Sequence, residues 1–206
     1  MNVKELMKAA PVIPVLVVEE VDHAIPLAKA LVKGGLPVLE VTLRTPAGLD
    51  AIKAMSTVEG AIVGVGTALD ANDLRNAVDH GATFAVSPGF TSELGKAAND
   101  LSLPLLPGVM TSADIMRARQ HGFTDLKFFP ASQAGGTAML KAFGGPFADV
   151  SFCPTGGINA DTAADYLKLK NVLCVGGSWV APKNLILNGD WNAITDLATA
   201  AARLPV

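Results

Sequence analysis

Short apolar runs recur along the chain, and each is followed by a longer stretch in which apolar residues repeat with a helical period. A short β-rich run bounded by turn residues predicts a buried strand, and the helical period predicts an amphipathic helix. The predicted strands are 13–18, 38–42, 61–66, 83–87, 103–106, 125–129, 150–154 and 172–175. The predicted helices are 2–10, 21–33, 48–55, 71–80, 92–99, 112–121, 136–143, 161–169, 184–187 and 191–203.

This regular alternation predicts an α/β fold whose strands pair in parallel through right-handed crossovers. A doubly wound open sheet is the competing architecture, and it usually carries a glycine-rich dinucleotide-binding turn after its first strand. Here the first predicted strand is followed by Glu19-Glu20-Val21, without a glycine. We therefore predict a single (β/α)8 TIM barrel with a short N-terminal helix. It would form one domain over residues 1–206, a length near the lower limit for that fold.

The composition is that of a compact globular protein, with 50% hydrophobic and 17% charged residues. A net charge of -3 without a basic run gives no electrostatic footprint for nucleic acid. No apolar run reaches the ~18 residues of a membrane span. Glu5, Pro11 and Pro14 interrupt the N-terminal stretch that superficially resembles a signal peptide, so we expect a cytoplasmic protein. Cys153 and Cys174 are expected as buried free thiols, although the sequence leaves one disulfide open.

Lys127 stands in the middle of the apolar, aromatic run Asp125-Leu126-Lys127-Phe128-Phe129-Pro130. Lysine is almost never buried unless it is paired or used in chemistry. A neutral lysine amine is a nucleophile that forms Schiff bases with carbonyl substrates. The alternative is an edge-strand lysine whose ammonium group reaches solvent, and the run alone slightly favours that alternative.

Polar residues and glycines gather where the predicted strands end, from the second strand to the eighth. Active sites of (β/α)8 barrels lie at these carboxyl ends. The residues concerned are Glu40 and Arg44, Gly66-Thr67, Ser87-Pro88-Gly89, Pro107-Gly108, Lys127, Thr155-Gly156-Gly157 and Gly176-Gly177-Ser178. Such a concentration at one end of the barrel predicts an active site there.

The alternation within two of these strands indicates which side chains face inward. Successive residues of a strand face opposite sides, so Lys127 shares a face with Phe129, and Leu126 shares the other with Phe128. If Leu126 and Phe128 pack against helices, Lys127 points into the barrel, and Glu40 does so by the same logic. An inward lysine and glutamate are either a buried ion pair or a catalytic pair. We favour the catalytic pair, because buried ion pairs are poor stabilisers and perturbed ionisable groups cluster at functional sites.

Two glycine pairs, Gly156-Gly157 and Gly176-Gly177, follow the seventh and eighth predicted strands, and Ser178 comes directly after the second pair. Consecutive glycines let backbone amides approach an anion closely. Barrel enzymes frequently build a phosphate site from these two loops. A single pair would most simply permit a tight turn, but two pairs on the two expected loops favour a phosphate site.

The histidines His23, His80 and His121 fall in predicted helices or at their C-terminal ends, where the helix dipole favours a cation. None of them stands at a predicted strand end. The sequence therefore shows no His/Asp/Glu cluster of the kind that holds a metal. We expect a reaction that uses no metal and no cofactor.

The motifs, in this order, resemble the bacterial 2-keto-3-deoxy-6-phosphogluconate (KDPG) and 2-keto-4-hydroxyglutarate (KHG) aldolases, which are class I aldolases. The resemblance runs from about Pro11 to the end of the chain. It rests on Val38-Leu39-Glu40-Val41-Thr42-Leu43-Arg44-Thr45, Gly66-Thr67, Ser87-Pro88-Gly89, Lys127-Phe128-Phe129-Pro130-Ala131, Pro154-Thr155-Gly156-Gly157-Ile158 and Gly176-Gly177-Ser178-Trp179. The chain departs from the family pattern at Val65, Ala68 and Ser132, where we expect Ala, Val and Glu.

The resemblance implies that Lys127 is the Schiff-base lysine and Glu40 the general acid/base. It further implies a homotrimer that acts on a small 2-keto acid without a metal. The residues expected to bind the pyruvate portion are Arg44, Thr67, Pro88, Phe129 and Thr155, the last of which influences stereochemical preference. The residues expected to bind phosphate are Gly156, Gly157, Gly176, Gly177 and Ser178.

The expected reaction is the reversible cleavage of KDPG to pyruvate and glyceraldehyde 3-phosphate, together with cleavage of KHG to pyruvate and glyoxylate. Two other classes of protein share some of these features. A phosphate-binding barrel isomerase or epimerase would normally need further acid/base or metal-binding residues at the strand ends. A non-catalytic sugar-phosphate-binding barrel would not release pyruvate.

Overall fold

The computed structural model describes residues 1–205, in which strands and helices alternate. The strands are β1 (Val12–Leu16), β2 (Val38–Thr42), β3 (Ile62–Gly66), β4 (Ala85–Val86), β5 (Leu105–Leu106), β6 (Gly108–Val109), β7 (Asp125–Phe128), β8 (Ser151–Pro154) and β9 (Val175–Gly177). The helices are α1 (Val3–Lys8), α2 (Ala24–Lys33), α3 (Gly48–Met55), α4 (Ala71–Asp79), α5 (Ser92–Asp100), α6 (Ser112–Gln120), α7 (Gly136–Phe143), α8 (Ala163–Leu167), α9 (Lys183–Leu187) and α10 (Trp191–Ala202). None of these helices is long and apolar enough to cross a bilayer.

The strands form curled parallel sheets. Six strands follow the order β5-β4-β3-β2-β1-β9, and three follow the order β6-β7-β8. Two isolated parallel bridges, Phe152 with Val172 and Thr155 with Gly176, join β8 to the segment that contains β9. The predicted α/β fold with parallel pairing is confirmed, whereas closure of eight strands into one barrel stays a prediction.

Three predicted elements differ from the structure for identifiable reasons. The strand predicted over 103–106 is shorter, and a further strand, β6, follows it after Pro107, which has no N–H group to donate to a ladder. The eighth predicted strand is irregular, because three steps along β8, from Phe152 to Thr155, correspond to four steps from Val172 to Gly176. Regular pairing, with β1, begins only at Val175. The helix predicted over 161–169 begins later, since the Asn159 side chain accepts from the amides of Asp161 and Thr162 in a turn.

The alternation along the strands divides the apolar core into two layers. Leu39, Leu126 and Phe128 belong to the outer layer, between the strands and the helices. The Phe128 ring, for example, packs edge-on against Phe143 of α7 with a centroid distance of 5.9 Å. The inner layer comprises Leu6, Met7, Ile13, Val38, Phe84, Val86, Leu106, Cys153 and Cys174. Both cysteines are buried free thiols, as predicted.

Helix α1 covers the amino-terminal ends of the strands. The helix begins with a capping box, in which the Asn2 side chain accepts from the Glu5 amide and the Glu5 carboxylate accepts from the Asn2 amide. Leu6 and Met7 are buried and pack in the inner layer with strand residues such as Phe84. The interior at this end of the strands is therefore filled with apolar side chains, and the inward-facing carboxylate and amine lie toward the opposite end.

Candidate active site

Lys127 of β7 and Glu40 of β2 form a buried ion pair. Lys127 Nζ donates to Glu40 Oε1 at 3.0 Å and lies 3.5 Å from Oε2. The two side chains are only 5% and 3% exposed. Because β2 and β7 belong to different sheets, the pair crosses the interior that the strands enclose. The inward direction predicted for both side chains is confirmed.

Strand β7 positions the amine through its alternation. Lys127 lies opposite Gly108 on one side and Cys153 on the other, and its amide donates to the Pro107 carbonyl at 2.9 Å. Its neighbours along the strand point outward into the core between strands and helices. Lys127 Nζ also lies 5.4 Å from the centroid of the Phe129 ring. The amine is therefore fixed between a carboxylate and an aromatic face.

The space for two of the polar side chains depends on glycines in neighbouring strands. A β-carbon at Gly66 would lie 2.5 Å from both Cγ and Oε1 of Glu40. A β-carbon at Gly176 would overlap the hydroxyl of Thr155. Any side chain at either glycine would displace a predicted site residue, so both glycines are needed for close approach.

Arg44 and Thr67 are joined at the ends of β2 and β3. Arg44 Nε donates to Thr67 Oγ1 at 3.3 Å, which leaves the two terminal nitrogens for a ligand. Thr67 has a φ of 61°, in the left-handed region that a β-branched residue rarely adopts. Strained backbone of this kind clusters at ligand-binding sites. Here it turns the Thr67 hydroxyl toward the guanidinium.

A pocket of about 210 Å³ opens among the loops at this end of the strands. Its lining comprises Val15, Val17, Arg44, Phe129, Thr155, Gly156, Gly157, Ile158, Gly176, Gly177 and Ser178. Phe129 directly follows β7 and has the same parity as Lys127, so the amine lies one layer deeper than the Phe129 ring. Four other cavities are larger, but neither Lys127 nor Glu40 nor their strand neighbours Phe129 and Thr155 line them. We take the smaller pocket as the site because it adjoins the buried ionisable groups.

The loop after β8 offers backbone donors at one end of this pocket. Gly156 and Gly157 have φ values of 102° and 72°, which favour glycine. The loop after β7 braces them, since Ala131 N donates to Thr155 O at 2.8 Å and Ser132 N donates to Gly156 O at 3.0 Å. Within residues 1–205, the amides of Gly157 and Ile158 donate to no protein oxygen. Free amides in such a turn are suited to an anion.

The model of the KDPG and KHG aldolase family matches residues 3–197. The chain belongs to this family. The 2-dehydro-3-deoxy-phosphogluconate aldolase of Pseudoalteromonas atlantica is 50% identical over 199 residues, which cover 96% of this chain and 93% of the relative. The KHG/KDPG aldolase of Escherichia coli is 48% identical over 201 residues, covering 97% and 94%.

A solved KDPG aldolase structure has nearly the same fold. The enzyme is from Legionella pneumophila, and its pyruvate was captured at low pH as a covalent carbinolamine intermediate. The two structures align with a TM-score of 0.95 at 45% identity, covering 98% of each chain. The resemblance to the KDPG and KHG aldolases noted from the sequence motifs is therefore confirmed.

Most of the side chains expected from the family resemblance lie close together. Lys127 and Glu40 form the ion pair, and Thr67 holds Arg44. Pro88 is the exception, because it does not line the pocket and its backbone instead packs tightly against Gly108. The predicted residues that line the pocket are Arg44, Phe129, Thr155, Gly156, Gly157, Gly176, Gly177 and Ser178.

Three lining residues were not predicted, namely Val15, Val17 and Ile158. Val15 lies opposite Glu40 in the β1–β2 ladder, and Val17 follows with the same parity. The alternation of β1 could have identified both valines. Their apolar side chains carry no chemical signal of their own, however, and the same holds for Ile158.

Proposed function

We propose that the protein is a class I aldolase that reversibly cleaves KDPG to pyruvate and glyceraldehyde 3-phosphate. The observation that carries this proposal is the buried contact of 3.0 Å between Lys127 Nζ and Glu40 Oε1 next to the pocket. A buried ion pair is a poor stabiliser, so its position at the carboxyl ends of the strands favours a chemical role. Membership of the aldolase family supports the same reaction.

The first step forms the Schiff base. Glu40 accepts a proton from the ammonium group of Lys127 along their hydrogen bond, and the neutral amine attacks C2 of the 2-keto acid. The resulting carbinolamine loses water, and a protonated imine is left between Lys127 and the substrate. The covalent carbinolamine captured in the Legionella pneumophila enzyme is an intermediate of this type.

The second step breaks the C3–C4 bond. Glu40 removes the proton of the C4 hydroxyl, the aldehyde leaves, and the bonding electrons pass into the imine to give an enamine. Protonation of the enamine at C3 and hydrolysis then release pyruvate and restore the lysine. Glu40 acts first as a base at the C4 hydroxyl and then as an acid at C3. Its carboxyl group must therefore reach both substrate atoms from one position.

The remaining residues bind the substrate in this proposal. Arg44 binds the carboxylate through its two terminal nitrogens, with Thr67 holding the guanidinium in place. Thr155 contacts the substrate near C4 and influences its stereochemistry. Gly156, Gly157, Gly176, Gly177 and Ser178 bind the phosphate through backbone amides and one hydroxyl. Phe129 and the lining valines exclude water from the amine.

Several finer features belong to the same proposal. We infer that the strands close into an eight-stranded barrel, since the bridges between β8 and β9 and the continuity through Pro107 support a closed ring. The chain would form one domain over residues 1–206 and assemble as a cytoplasmic homotrimer. KHG is proposed as a second substrate, since the related Escherichia coli enzyme is named for both compounds. A comparison of kcat/KM for KDPG and KHG tests that point.

Borohydride trapping tests the lyase mechanism. Incubation with pyruvate and sodium borohydride should give a stable adduct that mass spectrometry maps to Lys127. Glu40→Gln should still form the adduct yet release little pyruvate in an assay coupled to lactate dehydrogenase. Lys53→Arg serves as the control, because Lys53 is an exposed lysine of α3. An adduct on other lysines but not on Lys127 would remove the Schiff base from the proposal.

A further inference from the structure

Two cavities lie at the end of the strands opposite to the proposed active site. Their volumes are about 650 Å³ and about 590 Å³, within the range of small-molecule sites. Both are lined by residues 168–170, which precede β9 and form a shared wall. Pro11 lies just before β1 and Ser151 begins β8, so the cavities border the amino-terminal ends of these strands. A ligand bound there would not occupy the pocket beside Lys127.

Positive charge is concentrated around the two cavities. The lining lysines are Lys4, Lys8, Lys141, Lys168 and Lys170. Among the residues that the structure describes, Asp149 is the one carboxylate in either lining, and its Oδ2 already accepts from Arg119 at 2.7 Å. Lys168 is paired with Asp165 at 2.9 Å. Because the whole chain carries -3, this region is a local excess of positive charge that favours an anion.

The two cavities differ in the chemistry of their walls. The first combines the apolar side chains of Pro11, Leu173 and Leu204 with three lysines. The second is polar and includes Ser151 and the Asn171 amide, which is held by a hydrogen bond of 2.8 Å to the Leu140 carbonyl. A ligand that spans both cavities can therefore place an apolar ring on these side chains of the first and negative charges beside the lysines of both.

We propose that the two cavities together bind a nucleoside polyphosphate. Its ring system lies against the apolar wall of the first cavity, and its phosphate chain crosses residues 168–170 into the second. The lysines on both sides of this shared wall neutralise the phosphates. The concave shape suits a small molecule better than an extended nucleic acid. This site is independent of the aldolase reaction, because no residue of the proposed active site contributes to it.

Isothermal titration of the full chain with ATP tests the proposal. The expected result is saturable binding of one ATP per chain. The double variant Lys168→Ala/Lys170→Ala should weaken binding at least tenfold, about 1.4 kcal/mol. The matched control is Lys29→Ala/Lys53→Ala, which removes the same charge from exposed positions of α2 and α3. Unfolding curves of both variants should match that of the parent chain, since all four lysines are exposed.

Three outcomes would overturn the proposal. The first is the absence of saturable ATP binding to the unmodified chain. The second is an equal loss of affinity in both double variants, which would mean that ATP responds only to net charge. The third is inorganic triphosphate binding as tightly as ATP, which would leave the apolar wall without a role. Pyruvate trapping at Lys127 should proceed equally with and without ATP, so the two proposals fail independently.

Discussion

The two ends of the strand interior are built from the same strands and yet have opposite chemistry. At the amino-terminal end, Leu6 and Met7 of α1 pack with inward strand residues such as Val38 and Phe84 in an apolar layer. At the carboxyl end, the inward residues are a carboxylate, an amine and glycines. Only one residue of β2, Leu39, separates Val38 from Glu40. We therefore expect stability to come mainly from one end and chemistry from the other, and four experiments can test that division.

The largest effect is expected at Lys127. Lys127→Met should reduce kcat at least about a thousandfold, because the nucleophile is removed. It should also destabilise the chain by about 3–5 kcal/mol, since the buried Glu40 carboxylate loses its partner. The double variant Lys127→Met/Glu40→Gln should recover most of that stability while remaining inactive. Urea unfolding and the pyruvate-release assay measure both effects, and a double variant no more stable than the single one contradicts this account.

A substitution in the apolar layer at the amino-terminal end should lower stability and leave catalysis nearly unchanged. Met7→Ala should cost about 2–5 kcal/mol in the free energy of unfolding, because a fully buried side chain leaves a cavity. At temperatures where the variant remains folded, kcat should stay close to that of the parent chain. Met116→Ala is a matched control, since Met116 of α6 is 54% exposed and should change stability little. A large loss of kcat in folded Met7→Ala would mean that the two ends are coupled.

Gly66 is the last residue of β3, and its lack of a side chain leaves room for the Glu40 carboxyl group. Gly66→Ala would place a β-carbon 2.5 Å from the Glu40 carboxyl group and force that side chain to move. A displacement of about 1 Å at a catalytic group can cost about a hundredfold in rate, so we expect kcat to fall by that order. The borohydride adduct at Lys127 should persist. If turnover is unchanged while the protein remains folded, the position of Glu40 is less critical than proposed.

The smallest effect concerns Asp125 at the amino-terminal end. Burial raises the pKa of its carboxyl group above 3.8, partly offset by the nearby Lys4 ammonium. The folded chain therefore binds this proton more tightly than the unfolded chain, and stability falls as the pH rises through the window above 3.8. Asp125→Asn should raise Tm slightly at pH 7, and the gain should vanish at pH values below that window.

The opposite sign is expected at Asp149, which makes it the control for Asp125. The Arg119 guanidinium donates to this carboxylate and lowers its pKa. The pair contributes stability above pH 3.8 that is lost as the pH falls through the lowered pKa of the folded state. Asp149→Asn should therefore lower Tm slightly at pH 7. Scanning calorimetry from acid to neutral pH measures both variants, and shifts of the same sign would contradict the assignment.

Much of the fold follows from local sequence patterns, and the exceptions have physical causes. The bounds of β2, α3 and α7 agree with the prediction, because each has a clear period and nearby turn residues. The two short strands on either side of Pro107 have different partners, since β5 pairs with β4 and β6 pairs with β7. The irregular segment before β9 is set by its two bridges to the β8 segment. Both are properties of paired strands and cannot be read from one strand alone.

The candidate site was predictable where parity and chemistry agree. Alternation placed Lys127 and Glu40 inside, and the structure joins them at 3.0 Å. The contact between Arg44 and Thr67 was not predictable, because it depends on a left-handed backbone at Thr67 that the residue type disfavours. The substrate-binding role of Pro88 stays a prediction, since its backbone packs against Gly108 and a residue at a strand end can contact a neighbouring strand as well as a pocket.

The alternation of β7 has a consequence for engineering substrate range. Even-numbered residues such as Phe128 pack against the helices. Lys127 supplies the amine, and Phe129 lies beside that amine and lines the pocket. A mutant library at Phe129, with Lys127 kept as lysine, would vary the pocket beside the amine and leave the outer packing intact. Deleting one residue within the strand would exchange the two sets, so activity and folding would be lost together. Strand parity is therefore a practical guide to which codons to randomise.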